Sequence, residues 1–340
     1  MIYMKRKFLN FAIILPLIAS GFVREAGAQT RPRNNAPATP NLMASLPESD
    51  AVAHMKVKQL LTEAMPRILG SNPAKLAEAY WHLDRFKERT GLDPRMFQQI
   101  ALGLRFTHPA EGVTRAQTVA LAKGSFSSAA MVAAGRVAAN GKYREEKYQN
   151  KTIHIFTLDD QIRLLGMFNF KLAELAAAPL DTDTLALGDP AGVRAAIDVG
   201  SGRADANNEL IALASRDPNA IIGFGGNMTE QLVDNLDIGN APITAELKSL
   251  RQVFGSVGTT DRDLQLFLAA RAVNANAAKS LGDTLEGLKQ FGALIVGRLS
   301  GAKGVLAKSA LANMTIVADA NELQIRTSVA QAEIGPLLGN

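Results

Sequence analysis

Cysteine is absent from all 340 residues, and that absence removes several possibilities at once. No disulfide can brace the fold, so the core has to hold it alone. No cysteine is available for acylation, which excludes a lipoprotein. Excess charge of one sign is also scarce. The formal net charge is +5, but residues 1–28 carry Lys5, Arg6, Lys7 and Arg24 against Glu25, a net of +3. The rest of the chain is therefore near +2 by difference, with Arg31 and Arg33 set in a Pro/Asn/Ala-rich stretch. Phosphate-backbone affinity needs several clustered cations, so no nucleic-acid partner is expected. Long apolar runs are missing as well. After the N-terminus the longest uncharged greasy run is Phe291 to Gly297, between Lys289 and Arg298. A bilayer span needs ~20 apolar residues, and this run falls far short.

What is present begins at the N-terminus. Lys5, Arg6 and Lys7 precede an apolar stretch from Phe8 to Ser20, and Ala26-Gly27-Ala28 follows. Positive segment, greasy segment and A-x-A site, in that order, form the layout of a secretory signal peptide. Cleavage is expected before Gln29, with a periplasmic or extracellular address. Pro16 and the short apolar run argue against a retained anchor. Residues 29–45 lack periodicity and read as a disordered leader. The remainder is 47% hydrophobic and 20% charged over the whole chain, the composition of an ordinary folded protein. Its length suits two units.

From residue 46 onward the patterning alternates between strands and helices. Asp50 to Val57 alternates as a strand, and Leu60, Leu61, Ala64, Met65 and Ile68 fall at helical spacing. Asn72-Pro73 opens a helix that ends at Thr90-Gly91. Ile100–Phe106 and Gln117–Lys123 read as strands joined by a loop over Thr107–Arg115. A helix over Ser127–Ala139, two hairpins between Tyr143 and Leu187, and a helix over Ala191–Val199 follow. A similar order returns later: strand Ala220–Phe224, helices Thr229–Leu236 and Ile243–Leu250, and strands Val253–Gly258 and Leu264–Ala272. It continues with a helical region from Asn274 to Leu311, a hairpin over Ala320-Asn321 and a short helix Gln331–Leu338. The expected class is α+β, in two related halves, 46–217 and 218–340. Each is a mainly antiparallel sheet with helices packed on one face.

Two stretches carry a resemblance. Leu46-Pro47-Glu48-Ser49-Asp50-Ala51-Val52, then Leu60-Leu61 with Glu63-Ala64 and Pro66-Arg67-Ile68-Leu69, resembles a group of exported proteins from environmental bacteria that have no assigned function. Thr90-Gly91-Leu92-Asp93 and the stretch Asp189 to Asp198 fit the same pattern. The resemblance implies secretion and tandem α+β halves, and it supplies no catalytic residues.

Catalytic chemistry is hard to assemble from the residues. His54, His82, His108 and His154 show no i, i+4 pair and no H-E-x-x-H, so no metal is expected. Gly223-Phe224-Gly225-Gly226 sits where a nucleotide-binding turn would, but Met228 replaces the third glycine. Close backbone packing explains it better, and no cofactor is expected. Ser300-Gly301-Ala302-Lys303 matches S-x-x-K without the companion motifs S-D-N and K-T-G. Asp181 with Asp183, and Asp261 with Asp263, read as turn formers. A Ca²⁺ ion would want six to eight oxygens.

The helix over Leu281–Leu306 poses a sharper question. Leu281, Leu285, Leu288, Ile295, Leu299, Ala302 and Leu306 form one apolar stripe, interrupted by glycines. Packing across a sheet is the expected fate of such a stripe. An exposed stripe would instead mark a membrane-surface or partner-binding helix. The function expected overall is a non-enzymatic binding or interaction protein of the bacterial cell envelope, with an envelope protein or lipid as partner. The alternative is a hydrolase whose carboxylates are dispersed in sequence. Export is checked by intact-mass analysis of the periplasmic or secreted fraction. The expected species begins at Gln29; recovery of the full-length chain from cytoplasm alone contradicts it.

Overall fold

The computed structural model describes residues 42–110, 113–157, 162–164, 168–170, 174–204, 208–229, 241–334 and 337. The contacts divide them into two units. One holds 42–65 and Ala77–Asn227; the other holds Pro66–Leu76 and the chain from Met228.

The first unit starts with a 3₁₀ turn, Leu42–Ser45, and strand β1, Ala51–Met55. A helical run α1 follows, from Val57–Gln59 through a π-helical turn Leu60–Ala64 to Met65–Leu69. Helix α2 is Pro73–Thr90. Strands β2 (Phe97–Ala110) and β3 (Val113–Gly124) make a long hairpin. After them come α3 (Ser128–Ala138), β4 (Tyr143–Tyr148), β5 (Lys151–Thr157) and a small pair, β6 (Ile162–Leu164) with β7 (Phe168–Phe170). Strands β8 (Glu174–Pro179) and β9 (Thr184–Gly188), helices α4 (Pro190–Gly200) and α5 (Asn208–Ala214), and strand β10 (Ile222–Asn227) complete the unit. The strands lie in the order β10-β1-β2-β3-β9-β8-β5-β4, all antiparallel.

Strand alternation decides which helix covers which face. Ala122 lies opposite Leu185, and both join Val132 of α3, Phe156 and Ala177 in one core. The next pair, Leu121 with Ala186, points the other way and is fully buried. That second face belongs to α4, whose Val193, Ala196 and Ile197 recur at helical spacing and are buried. Asp189 ties the entry of α4 to β3: its Oδ2 accepts from the Thr118 amide at 2.6 Å and the Thr118 hydroxyl at 2.9 Å. On the same face, Val119, Gly103, Val52 and Gly225 lie in register across four strands; α5 covers Gly225, Leu46 and Ser49 cover Gly103, and Gly192 of α4 covers Val119.

The second unit contains α6 (Ala241–Leu247), β11 (Leu250–Thr259), β12 (Asp263–Ala272), α7 (Ala275–Val296) and α8 (Gly301–Ala312). Strands β13 (Thr315–Asp319) and β14 (Glu322–Ala330) and helix α9 (Gln331–Ile334) follow. Its strands run β13-β14-β12-β11. Asn274 caps α7 by accepting from the Ala277 amide at 2.9 Å. Ala278 and Leu281 of α7 pack on Leu250, Ala272 and Leu323. On the opposite face Phe254 and Phe267 meet edge to face at 6.0 Å, and the Arg326 guanidinium stacks 4.2 Å from the Phe267 centroid.

The α+β class and the antiparallel sheet agree with the sequence reading. Several details differ from it. Instead of a loop over Thr107–Arg115, β2 extends to Ala110 and β3 resumes at Val113. Helix α3 packs on the face opposite α4 and α5, so the helices of the first unit do not share one face. The helical region from Asn274 is broken at residues 297–300. Contacts divide the chain at 227/228 rather than 217/218, because β10 pairs with β1 throughout Ile222–Gly226. Helix α5 carried no expectation. The helix expected over Thr229–Leu236 and the last residues of Gln331–Leu338 fall outside the described residues. In each unit a later short hairpin lays its second strand on the second strand of the long hairpin (β9 on β3, β14 on β12), but β4 to β7 intervene in the first unit and two helices in the second, so the order of elements does not repeat.

The seat of α5 generates a test. A Cβ at Gly223 would overlap the Ala214 carbonyl of α5 and press on the His54 imidazole. Backbone has to shift to admit it, a cost of about 1–3 kcal/mol for overpacking. Equilibrium denaturation of Gly223→Ala is expected to show that loss, and Gly287→Ala, which meets nothing within 4 Å, is not.

Candidate interaction surface

Helix α7 changes character along its length. In its first three turns Ala278, Leu281 and Gly282 are buried and Leu285 is half-buried, while Lys279, Ser280 and Asp283 face outward. Successive residues advance 100° around a helix, so Leu288, Ile295, Phe291 and Leu294 fall progressively off the buried arc. They are exposed: Leu288 by 45%, Ile295 by 51%, Phe291 by 61% and Leu294 by 70%. Leu299 in the connection and Val305 on α8 continue the exposure. The inner arc is meanwhile occupied. Gly292 lets Leu311 of α8 approach to 3.6 Å of its Cβ position, and the Lys289 ammonium donates to the Met314 carbonyl at 3.0 Å.

Helix α8 sits down through small residues. Gly304, Ala307 and Ala310 are buried with Leu311, and the Thr327 hydroxyl of β14 donates to the Ala310 carbonyl at 2.7 Å. Lys303, Val305 and Lys308 point outward. No acidic residue occurs between Glu286 and Asp319, whereas Lys289, Arg298, Lys303 and Lys308 do. Among the described residues Arg298, Lys303 and Lys308 form no ion pair. The outer sides of α7 and α8 thus carry exposed apolar residues, with Arg298, Lys303 and Lys308 interspersed in sequence.

The stripe expected to pack together is therefore split. Leu281 is 4% exposed and anchors the helix, but Leu288, Ile295 and Leu299 are open. Phe291 and Leu294, the most exposed members, did not belong to the stripe at all. Their signal was available: apolar residues three apart, off the stripe, where an amphipathic helix would carry polar ones.

The other candidates resolve as structure. The His54 Nε2 lies 3.2 Å from the Ala214 carbonyl, and burial pushes its pKa down. His154 is buried with its Nδ1 3.5 Å from Glu145, and burial lowers its pKa against the Glu145 charge. His82 pairs with Glu78 one turn away on α2, and His108 lies on β2. Gly223 and Gly225 admit α5, as close packing requires. Ser300 precedes the first turn of α8 and makes no side-chain cap. Asp181 closes a turn by accepting from the Asp183 amide at 3.0 Å, and Asp183 holds Lys123 at 2.7 Å. Asp261 is exposed, 3.8 Å from Arg67, and the Asp263 carbonyl accepts from the Thr260 amide at 2.9 Å. Among the described residues no three His, Asp or Glu side chains converge as a metal site would need.

A hollow of about 180 Å³ in the first unit is lined by Leu92, Met96, Phe97, Phe126 and Met131, with Asp93 and Ser127 as its polar members. Asp93 accepts from the Arg95 amide, which with Lys87 holds its carboxyl below the usual range. Ser127 caps α3. No nucleophile and base meet there.

No protein-family model and no curated protein matches the chain. Among solved structures, crystal form III of TP0453 aligns with a TM-score of 0.45 at 8% identity, covering 90% of this chain and 100% of that one. Crystal form IV of TP0453 aligns at 0.43 and 8%, covering 88% and 96%. Among the described residues no helix is long and apolar enough to cross a membrane.

Burial along α7 yields paired substitutions. Leu281→Ala is expected to cost about 2–5 kcal/mol, and Leu294→Ala to stay within about ±0.5 kcal/mol. Urea denaturation of the two variants measures both. A loss at Leu294 equal to that at Leu281 would mean that the patch is covered in solution.

Proposed function

We propose that this protein is an exported, non-enzymatic component of the bacterial cell envelope that docks reversibly on an anionic membrane surface through α7 and α8. The observation that carries the reading is the exposed cluster of Leu288, Phe291, Leu294, Ile295, Leu299 and Val305. Scattered surface apolar residues are ordinary, but contiguous ones mark interaction sites. The choice of occupant follows from charge. A helix that lies in a lipid interface combines an apolar face with Lys and Arg beside it, and anionic headgroups attract each such cation by about 1 kcal/mol. Arg298, Lys303 and Lys308, with no acid among them, have that arrangement. Export is supported by the signal-like order from Lys5 to Ala28.

Vesicle co-sedimentation tests the reading. Binding to vesicles containing phosphatidylglycerol is expected, with weaker binding to phosphatidylcholine alone and a decline as salt rises. Phe291→Ser with Leu294→Ser is expected to abolish it without lowering the unfolding midpoint. Absence of binding to both vesicle types would overturn the proposal.

A further inference from the structure

We infer that β13 pairs with β13 of a second copy of this chain, antiparallel and centred on Val317. Among the described residues the strand ends the second unit's sheet, with β14 as its sheet neighbour. An edge strand offers a row of free amides and carbonyls, and proteins ordinarily guard such edges with charges, proline or a bulge. Strand β4, which ends the first unit's sheet, is guarded in that way: Arg144, Glu145, Glu146 and Lys147 follow one another. Strand β13 is not. Its sequence is Thr315-Ile316-Val317-Ala318-Asp319, with no proline, no lysine and an unbroken register against β14. Val317, Ala318 and Asp319 are exposed, Val317 by 52%.

The occupant is identified by self-complementarity. Antiparallel pairing about Val317 sets Val317 against Val317, Ile316 against Ala318 and Thr315 against Asp319. Every one of these pairs is compatible. β-Branched side chains meet at the centre, and at both ends a threonine hydroxyl can donate to a carboxylate, cross-strand contacts of the stabilising kind. The two Asp319 carboxylates lie at opposite ends of the pair. Within one copy Asp319 faces Glu322 across the ladder, a like-charge neighbour, so the second copy supplies the donor that β14 does not. Helix α7 packs on one face of the strand. Its Gly282 lies over Ala318, on the 316/318 side of the strand, whereas Thr315, Val317 and Asp319 point to the other side. A closed two-fold contact of this kind makes a dimer and stops there.

The cysteine-free chain makes the test direct. Residues opposite one another in an antiparallel pair have Cα atoms about 4.5–5.5 Å apart, within the range a disulfide spans. Sedimentation velocity of the purified protein is expected to show a dimer, and Val317→Lys a folded monomer with an unchanged unfolding midpoint. Val317→Cys is expected to cross-link into a covalent dimer on mild oxidation. Val273→Cys, comparably exposed in the connection between β12 and α7, is expected to stay reduced. Should Val317→Lys fail to fold, the Val317→Cys result still decides. A monomer at all concentrations with Val317→Cys unlinked overturns the inference, as does a dimer that survives Val317→Lys. Phe291→Ser is expected to leave the dimer intact; loss of the dimer there would overturn the inference by assigning the contact to the α7–α8 patch.

Discussion

The close approach of α7 to the sheet of the second unit is the contact on which the reading of the surface depends. Ala278 and Gly282 are small enough to bring the helix backbone down, and Leu281 fills the space they leave against Leu250, Ala272 and Leu323. Asn274 fixes where the helix begins. Once those residues are seated, helical geometry dictates the rest: Phe291 and Leu294 must point away from the sheet, because their neighbours Lys289 and Gly292 point toward Met314 and Leu311. Their exposure is thus a consequence of an anchored helix and does not reflect a loosely attached one.

The two ends of α7 therefore answer to different surroundings. Its first half follows the rule for a helix on a sheet, apolar inward and polar outward. Ser280 and Thr284 even donate to Glu246 of α6, each at 3.0 Å, which ties the outward side to a neighbour. Its second half is apolar on both sides, which water does not favour. A core needs only the inner arc. The outer arc is exposed and contributes little to folding stability, and it is this arc that the proposed docking uses.

Much of the fold was legible because the strands and caps obey local rules. Ser127 before α3, Asp189-Pro190 before α4 and Asn274 before α7 mark helix starts, and the structure places each at the expected point. The hairpin turn over Ala320-Asn321 was visible for the same reason, whereas the turn expected over Asn150-Lys151 falls one residue earlier, at Gln149-Asn150, because Tyr148 pairs with Lys151. The face that each helix covers was not legible. That depends on register between strands distant in sequence, such as Val52 beside Gly225 and Gly103 beside Val119. The loop expected over Thr107–Arg115 failed because Pro109 reads as a breaker, yet β2 accommodates it at the frayed end of a hairpin, beside a register shift. The patch itself was half legible. A stripe can be counted in sequence, but whether it is buried is a property of what lies opposite.

Magnitudes then decide what kind of attachment the patch supports. Complete burial of one large apolar side chain is worth about 1.5–3 kcal/mol. The six exposed residues are already partly covered, so roughly half of that remains for each, on the order of 4.5–9 kcal/mol together. Cations near an anionic surface add about 1 kcal/mol apiece, and Lys289 is already engaged with Met314 and Glu286. Against this stands the entropic cost of association, several kcal/mol at least. On the proposed membrane reading, the balance would correspond to weak, reversible binding that responds to salt and to lipid charge, well short of the effectively irreversible insertion of a spanning helix. A second copy brought in through β13 would alter that balance more than any further contact within one chain. Two patches on one particle make the second docking event intramolecular, and avidity then exceeds what either patch provides alone.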